Sequence, residues 1–309
     1  MVAGWGNLGA GVTNLVMGSF LFPLFKYIFQ DEENASERAW RTVCIVPAIL
    51  AFTTGVVVLF ISDDAPKGNY YDLKRHGVMP EVSIVSSFRD GSLNWNTWIL
   101  FIQYACCFGV ELTMNNASAL YFKDVFGLST ETAAAMASIF GWMNLFARGL
   151  GGFFSDYFNY TMGMKGRIII HTVMLAGEGA LVLIFSNTES LGGAIVTLVC
   201  FSLFVQAAEG TSYGIVPYVD PPNTGSISGI VGAGGNVGAV CFGMGFRELG
   251  YHQAFLIMGI SILASAVLSL FLNINGYSGM VCGKDKRVDP ETGRLLEDMA
   301  IGDEEVSLK

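Results

Sequence analysis

Apolar runs of 20 residues or more dominate this chain, at about 3–28, 42–62, 96–122, 131–154, 167–186, 190–216, 224–246 and 253–275. Each is long enough to cross a hydrocarbon core of roughly 30 Å as a helix. No run alternates polar and apolar positions over about ten residues in the barrel manner, and lipid offers the backbone no hydrogen-bond partner, so helices are predicted throughout. The expected fold class is an all-α membrane protein with eight spans. Asp63 to Asn94 holds an Asp-Asp pair, Pro, Gly and a Lys-Arg pair without a lipid-compatible run, so it reads as a linker. The pattern divides the chain into two spans over 1–62, a linker over 63–95, six spans over 96–275 and a mobile acidic tail over 276–309.

Composition agrees, with 52% hydrophobic and 14% charged residues. The net charge of −9 comes largely from acids outside the spans, at Asp31, Glu32, Glu33, Glu37 and the tail from Asp285 to Glu305, so it describes loops more than a site. No Lys/Arg run with interleaved aromatics appears, which excludes a nucleic-acid footprint. The six cysteines and His76, His171 and His252 show no metal-type spacing, so neither a metal, a cofactor nor a disulfide framework is expected. Lys67, Lys74, Arg75, Arg89, Lys165, Arg167, Lys284, Lys286, Arg287, Arg294 and Lys309 flank one side of the spans, against Lys26, Arg38, Arg41, Lys123 and Arg247 on the other. Basic residues stay on the cytoplasmic side, so both termini and the linker are placed there. No basic leader precedes the first apolar run, so no cleavable signal peptide is expected. Asn34, Ala35 and Ser36 form a glycosylation acceptor on the opposite side.

The charges well inside spans are Glu111, Arg148, Glu178 and Glu209. Each costs roughly 2.5–3.5 kcal/mol or more in lipid unless it faces a cavity or a partner. Asn144, Arg148, Gly152 and Asp156 recur at intervals of four and share a helix face. Arg148 on that face serves either an anion or a structural ion pair. Tyr104 and Phe108 stack along one side of their helix, with Glu111 and Asn115 continuing the stripe; packing is the ordinary role of such a stripe. Glu178 and Glu209 have no spacing argument, and interhelical bonding, snorkelling and proton carriage all remain open for them.

A short phrase occurs twice: Gly6-Asn7-Leu8-Gly9-Ala10 and Gly235-Asn236-Val237-Gly238-Ala239. By the span count the two copies lie six crossings apart, as equivalent helices do in a transporter of two parallel six-helix halves, where glycine-interrupted segments mark the binding site. Small residues every four positions also let helices approach closely, as Gly225/Gly229 and Gly234/Gly238 would. An Asn inside both copies favours a site, because its amide needs partners for two donors and an acceptor.

These residues resemble the nitrate/nitrite porter branch of the major facilitator superfamily, especially the high-affinity nitrate transporters of algae and plants. The resemblance covers nearly all of residues 1–282. It is carried by Ala3 to Gly11 (AGWGNLGAG) and Gly229 to Val240 (GIVGAGGNVGAV), which look like the family's two signatures on its fifth and eleventh helices. VELTMNN at 110–116, FARGLGGFFSD at 146–156 with Gly166 and Arg167, and GIVPYV at 214–219 also match. The resemblance implies a twelve-helix fold of which this chain carries about eight, with residues 1–62 as the last two helices of the first bundle. The first four helices, with a partner arginine, are then absent. It implies substrate contact by Arg148, Tyr104, Phe108, Asn7 and Asn236 with Gly6, Gly9, Gly235 and Gly238, and a structural loop motif of Gly152, Asp156 and Arg167. Glu209 stands where the family often has Cys or another small residue after paired alanines, and has no role from the resemblance.

The chemistry suits the residues in its own right. Nitrate is a planar anion, ionised at every physiological pH, and a planar guanidinium donates in its plane as lysine cannot. Carrying it into a negative interior costs about 2.3 kcal/mol per 100 mV, so accompanying protons are expected, at least two for an electrically inward cycle. Glu111 is the weak candidate for that linkage. The expected function is proton-coupled nitrate uptake across the plasma membrane by rocking of two bundles, with nitrate or nitrite, protons and lipid as partners and any accessory protein unassigned. A nitrate/nitrite exchanger and a non-transporting sensor or shortened relative are the alternatives. No nucleophile, base and orienting group converge at recognisable spacing, and no predicted strand precedes either glycine phrase, so an enzyme is not expected.

Overall fold

The computed structural model describes residues 2–66, 68–77, 83–281 and 283. Helices dominate them. Two begin the chain, α1 (Val2–Ile28) and α2 (Ala35–Ile61). Two short ones follow, α3 (Tyr70–Arg75) and α4 (Ile84–Leu93). The larger bundle comprises α5 (Trp95–Phe126), α6 (Thr130–Trp142), α7 (Ala147–Met162), α8 (Met164–Ser186), α9 (Leu191–Val219), α10 (Thr224–Glu248) and α11 (Tyr251–Val267). Seven helices among the described residues are long and apolar enough to cross a membrane.

The fourth expected span, 131–154, departs from the expectation. It is broken into α6 and α7 by a tight turn at Met143–Leu145, and Phe146 leaves the helical region at φ −133°. The apolar run is continuous there, so hydropathy alone cannot reveal the break. The segment expected to be a plain linker also carries structure. Its α4 docks on the start of α10, where the Ser87 and Ser226 hydroxyls meet at 2.8 Å and Gly91 lies against Ile227.

Local chemistry sets the ends. Asn94 caps α5 by accepting from the Asn96 amide at 3.0 Å, and Ser190 caps α9 by accepting from the Gly193 amide at 3.2 Å. Gly127 ends α5 at φ +65°, a left-handed conformation that a side chain would resist. In α1 the turns widen over Asn14–Leu21, just before Pro23, whose ring removes a backbone donor and crowds the preceding turn.

α5 lies at the centre of the larger bundle, packed against α6, α9, α10 and α11. Phe122, Phe140, Phe185, Phe201 and Phe255 fill the core around it. Asn96 closes one end by exchanging two hydrogen bonds with the Asn273 backbone, at 2.9 and 3.0 Å. α1 lies along α6 and α7. α2 meets α1 near their connection, and its apolar length carries exposed residues such as Phe52, Leu59 and Phe60. Of the expected tail, Tyr277 is buried edge-on against Tyr218, with ring centres 5.6 Å apart. The tail's acidic stretch, 284–309, lies outside the described residues, as do Lys67, Cys282 and the basic positions from Lys284 onward.

Candidate functional site

The break between α6 and α7 places Asn144 within the irregular turn and Arg148 in the first turn of α7, and both side chains turn to the same carboxylate on α5. Asn144 Nδ2 donates to Glu111 Oε1 at 2.8 Å, and Arg148 Nη2 donates to Glu111 Oε2 at 3.0 Å. A mid-helix break of this kind commonly marks a functional point, because it redirects side chains that a straight helix would hold in register. From α1, Asn7 Nδ2 donates to Glu111 Oε2 at 3.4 Å. Glu111 thus has three donors from three elements, as a buried carboxylate requires.

Arg148 has a second ion-pair partner, Glu209 on α9. Side-chain exposure is 10% for Arg148, 1% for Glu111 and 0% for Glu209, so the cluster is held away from solvent. Two glycines bring the pair together. A Cβ on Gly151 would lie 2.2 Å from the Ala207 carbonyl oxygen, and one on Gly210 would lie 2.3 Å from the Arg148 carbonyl oxygen. Backbone therefore meets backbone where α7 crosses α9, which sets Arg148 beside Glu209.

Aromatic faces complete the surroundings. Tyr104 and Phe108 stack at 5.2 Å with 22° between their planes, and the Arg148 guanidinium carbon lies 5.8 Å from the Phe108 ring centre. Tyr213 meets Tyr104 edge-on at 5.2 Å. A cavity of about 720 Å³ opens beside them, lined in part by Tyr104, Arg148, Glu209 and Tyr213. Gly152, Asp156 and Arg167 line the same cavity, so the expected loop motif and the arginine centre share one space. Arg167 pairs with the exposed Asp156 at 2.7 Å, donates to Ser155 Oγ at 3.0 Å and lies 5.2 Å from the Tyr218 ring centre.

The two glycine phrases separate here. In α1, Gly4 and Gly11 rather than Gly6 and Gly9 make the close approaches. A Cβ on Gly4 would lie 2.6 Å from the Asn144 carbonyl oxygen, and one on Gly11 would lie 2.8 Å from Gly141. Asn7 lies between them on that face and reaches Glu111, while Gly6 and Gly9 are exposed with nothing close. In α10 the glycines are consumed by α5. Gly238 would clash with the Ala105 carbonyl oxygen at 2.2 Å, and Gly235 with Phe108 Cδ1 at 2.4 Å. Asn236 turns to the exposed side and donates to the Gly232 carbonyl of its own helix at 3.3 Å. The structure therefore does not bring Asn236, Gly6 or Gly9 to the arginine centre; Gly235 serves it indirectly by seating Phe108.

Glu209 is the residue that spacing arguments missed. The available signal was its neighbourhood of small residues, Ala207, Ala208 and Gly210, opposite a helix with Gly149, Gly151 and Gly152. Of the other buried groups, Glu178 has neither carboxyl oxygen hydrogen-bonded among the described residues. His171 lies between Thr211 Oγ1 at 2.7 Å and Gln103 Oε1 at 3.2 Å. Among the described residues no group of His, Cys, Asp and Glu is arranged to hold a metal.

Comparison with known proteins gives this geometry a family. Residues 1–243 match the Major Facilitator Superfamily model. The chain is 34% identical over 305 residues to high affinity nitrate transporter 2.5 of Arabidopsis thaliana, covering 96% of this chain and 59% of that protein. It is 33% identical over 308 residues to nitrate transporter 2.2 of Chlamydomonas reinhardtii, with the same two shares. The chain thus spans less than two thirds of the length of these relatives. A bacterial homologue of the human lysosomal transporter Spinster, crystallised inward-facing and unoccupied, shares the fold at a TM-score of 0.56 and 16% identity, over 84% of this chain and 65% of its own. The match over residues 1–243, more than half of the chain, leads to one assignment: this chain belongs to the major facilitator superfamily.

Proposed function

We propose that this chain moves nitrate across a membrane, driven by protons, with Arg148 as the anion-binding group. The observation that carries the reading is a buried guanidinium that lines a cavity of about 720 Å³, with the Phe108 ring against it and Tyr104 beside it. A permanently charged planar fork meets a permanently charged planar anion, and aromatic faces bound the space. The named relatives from Arabidopsis and Chlamydomonas support nitrate as the substrate, with nitrite as its nearest chemical alternative.

The direction of work follows from charge. A monovalent anion entering a negative compartment climbs about 2.3 kcal/mol per 100 mV, and co-transported protons supply the opposing term. Glu111, bonded to Arg148, Asn144 and Asn7, is positioned to couple the arginine's occupancy to the packing of α1 against α6 and α7. Alternating access then consists of rocking of the first helices against the larger bundle around this point. The proposed setting is the plasma membrane, with both termini in the cytoplasm.

The test is uptake of isotope-labelled nitrate by proteoliposomes containing the full 309-residue chain, under an inward proton gradient. Saturable uptake is expected, with loss of at least about 100-fold in Arg148→Lys, because lysine offers a point charge in place of the fork. Counterflow of nitrate and nitrite with no proton entry would assign exchange instead. Nitrate binding without flux would assign a sensing role.

A further inference from the structure

We infer that Glu209 is a tethered competitor for the anion, holding Arg148 until a proton neutralises it, so that one proton binds in exchange for each arriving anion. This inference rests on the anion-binding reading above and adds to it the group that makes binding conditional.

The argument begins with the difference between Arg148's two carboxylates. Glu111 is fixed by Asn144 and Asn7 as well as by Arg148, and it is not part of the cavity wall. Glu209 lines the cavity, and among the described residues Arg148 is the one polar partner of its carboxylate. Its carboxylate therefore stands in the cavity wall on Arg148 Nη2, where it competes for that donor with an anion entering from the cavity. It also has the chemistry of such a ligand, since a carboxylate and nitrate are both planar and present oxygens to the same fork.

Charge accounting gives the direction. Arg148, Glu111 and Glu209, all ionised, carry a net −1. Adding a monovalent anion beside both carboxylates would make −2 in a site shielded from water, where like charges repel strongly. If Glu209 takes a proton through the cavity it lines, releases the guanidinium and leaves its place to the anion, the site returns to −1. No covalent bond changes, and the proton comes to rest on a Glu209 oxygen.

The other groups around Glu209 do not serve this purpose. Tyr104 on α5 and Tyr213 on α9 are phenols that stay neutral at physiological pH. Asp156 and Arg167 face the same cavity but are paired with each other, and Asp156 is exposed. His171 on α8 reaches α9 at Thr211 and is engaged there and at Gln103. Glu111 is the competing candidate, and the experiment separates the two.

Nitrate binding to the purified full chain is measured from pH 5.5 to 8, with Glu209→Gln, Glu209→Ala and Glu111→Gln beside it, and proton uptake is read in weak buffer as nitrate is added. The unaltered chain is expected to bind more weakly as pH rises and to withdraw about one proton per nitrate on account of Glu209, as linkage requires. Glu209→Gln and Glu209→Ala are expected to bind at least tenfold more tightly at pH 8, with that proton lost from the uptake. If Glu209→Gln or Glu209→Ala keeps the affinity, pH slope and uptake of the unaltered chain, or if the proton disappears only in Glu111→Gln, the inference is overturned while the nitrate reading stands. Nitrate binding with no proton uptake by the unaltered chain overturns it without recourse to any variant. Absence of nitrate binding by every well-folded chain at every pH would overturn both readings together.

Discussion

The two copies of the Gly-Asn-x-Gly-Ala phrase, at 6–10 and 235–239, are alike in sequence and are used in opposite ways. In α1 the Asn faces inward to Glu111, and the phrase's own glycines, Gly6 and Gly9, face outward. In α10 the glycines face inward to α5, and Asn236 faces outward. A helix turns through about 100° per residue, so one five-residue phrase can present either of these faces to its neighbour. Which face is used depends on the glycines outside the phrase. Gly4 and Gly11 draw α1 onto α6 and α7, while Gly234 joins Gly235 and Gly238 in drawing α10 onto α5. A repeat in sequence therefore identifies equivalent helices before it identifies equivalent contacts.

The largest expected effect comes from removing the cation paired with the carboxylate that Asn7 reaches. Arg148→Leu would leave Glu111 and Glu209 without their common cation in a dry site. Losing one partner from a buried ion pair costs about 3–5 kcal/mol. Melting of the purified chain is expected to fall sharply in this variant, and Glu209→Gln in the same background should recover part of the loss. If Arg148→Leu melts like the unaltered chain, the arginine centre is not the structural junction of α5, α7 and α9.

Next in size is a test of the glycines that do pack. Gly11 approaches Gly141 within 2.8 Å of a would-be Cβ, and Gly238 approaches the Ala105 carbonyl oxygen within 2.2 Å. Gly11→Val and Gly238→Val each insert a side chain between backbones, an overpacking expected to cost about 1–3 kcal/mol. Gly6→Val and Gly9→Val meet nothing within 4 Å and should be much milder. Equal losses at Gly6 and Gly11 would refute the assignment of faces in α1.

What the sequence made legible follows from how far each interaction reaches along the chain. Lipid imposes a length on every span, so the seven long apolar helices among the described residues could be read from apolar runs alone. Arg148 was legible because a charge inside such a run is costly. The break at Met143–Leu145 was not, since Met, Leu and Phe satisfy lipid equally well in a straight or broken helix. Glu209 was visible as a charge but not as Arg148's partner. Their meeting depends on the crossing of α7 and α9 at Gly151 and Gly210, 59 residues apart in the sequence. The outward turn of Asn236 was not legible for the related reason that its helix spends its glycine face on α5.

The smallest effect divides the asparagines themselves. Asn7→Ala removes one of three donors to a buried carboxylate. Because Arg148 and Asn144 remain, the loss is that of one charge-assisted hydrogen bond, about 1.5–3 kcal/mol at most, and less here because the Asn7 contact is long at 3.4 Å. Asn236→Ala removes an exposed amide that among the described residues bonds the Gly232 carbonyl of its own helix, and a change of less than about 0.5 kcal/mol is expected. Paired melting curves of the two alanine variants measure the stability difference, and paired nitrate-binding isotherms ask whether it extends to function. A weakened isotherm for Asn7→Ala beside an unchanged one for Asn236→Ala would mean that only the first phrase reports on the anion, through Glu111. A weakened isotherm for Asn236→Ala would mean that α10 turns its polar face to the substrate in another state of the cycle, and the asymmetry of the two phrases would then belong to this conformation rather than to the protein.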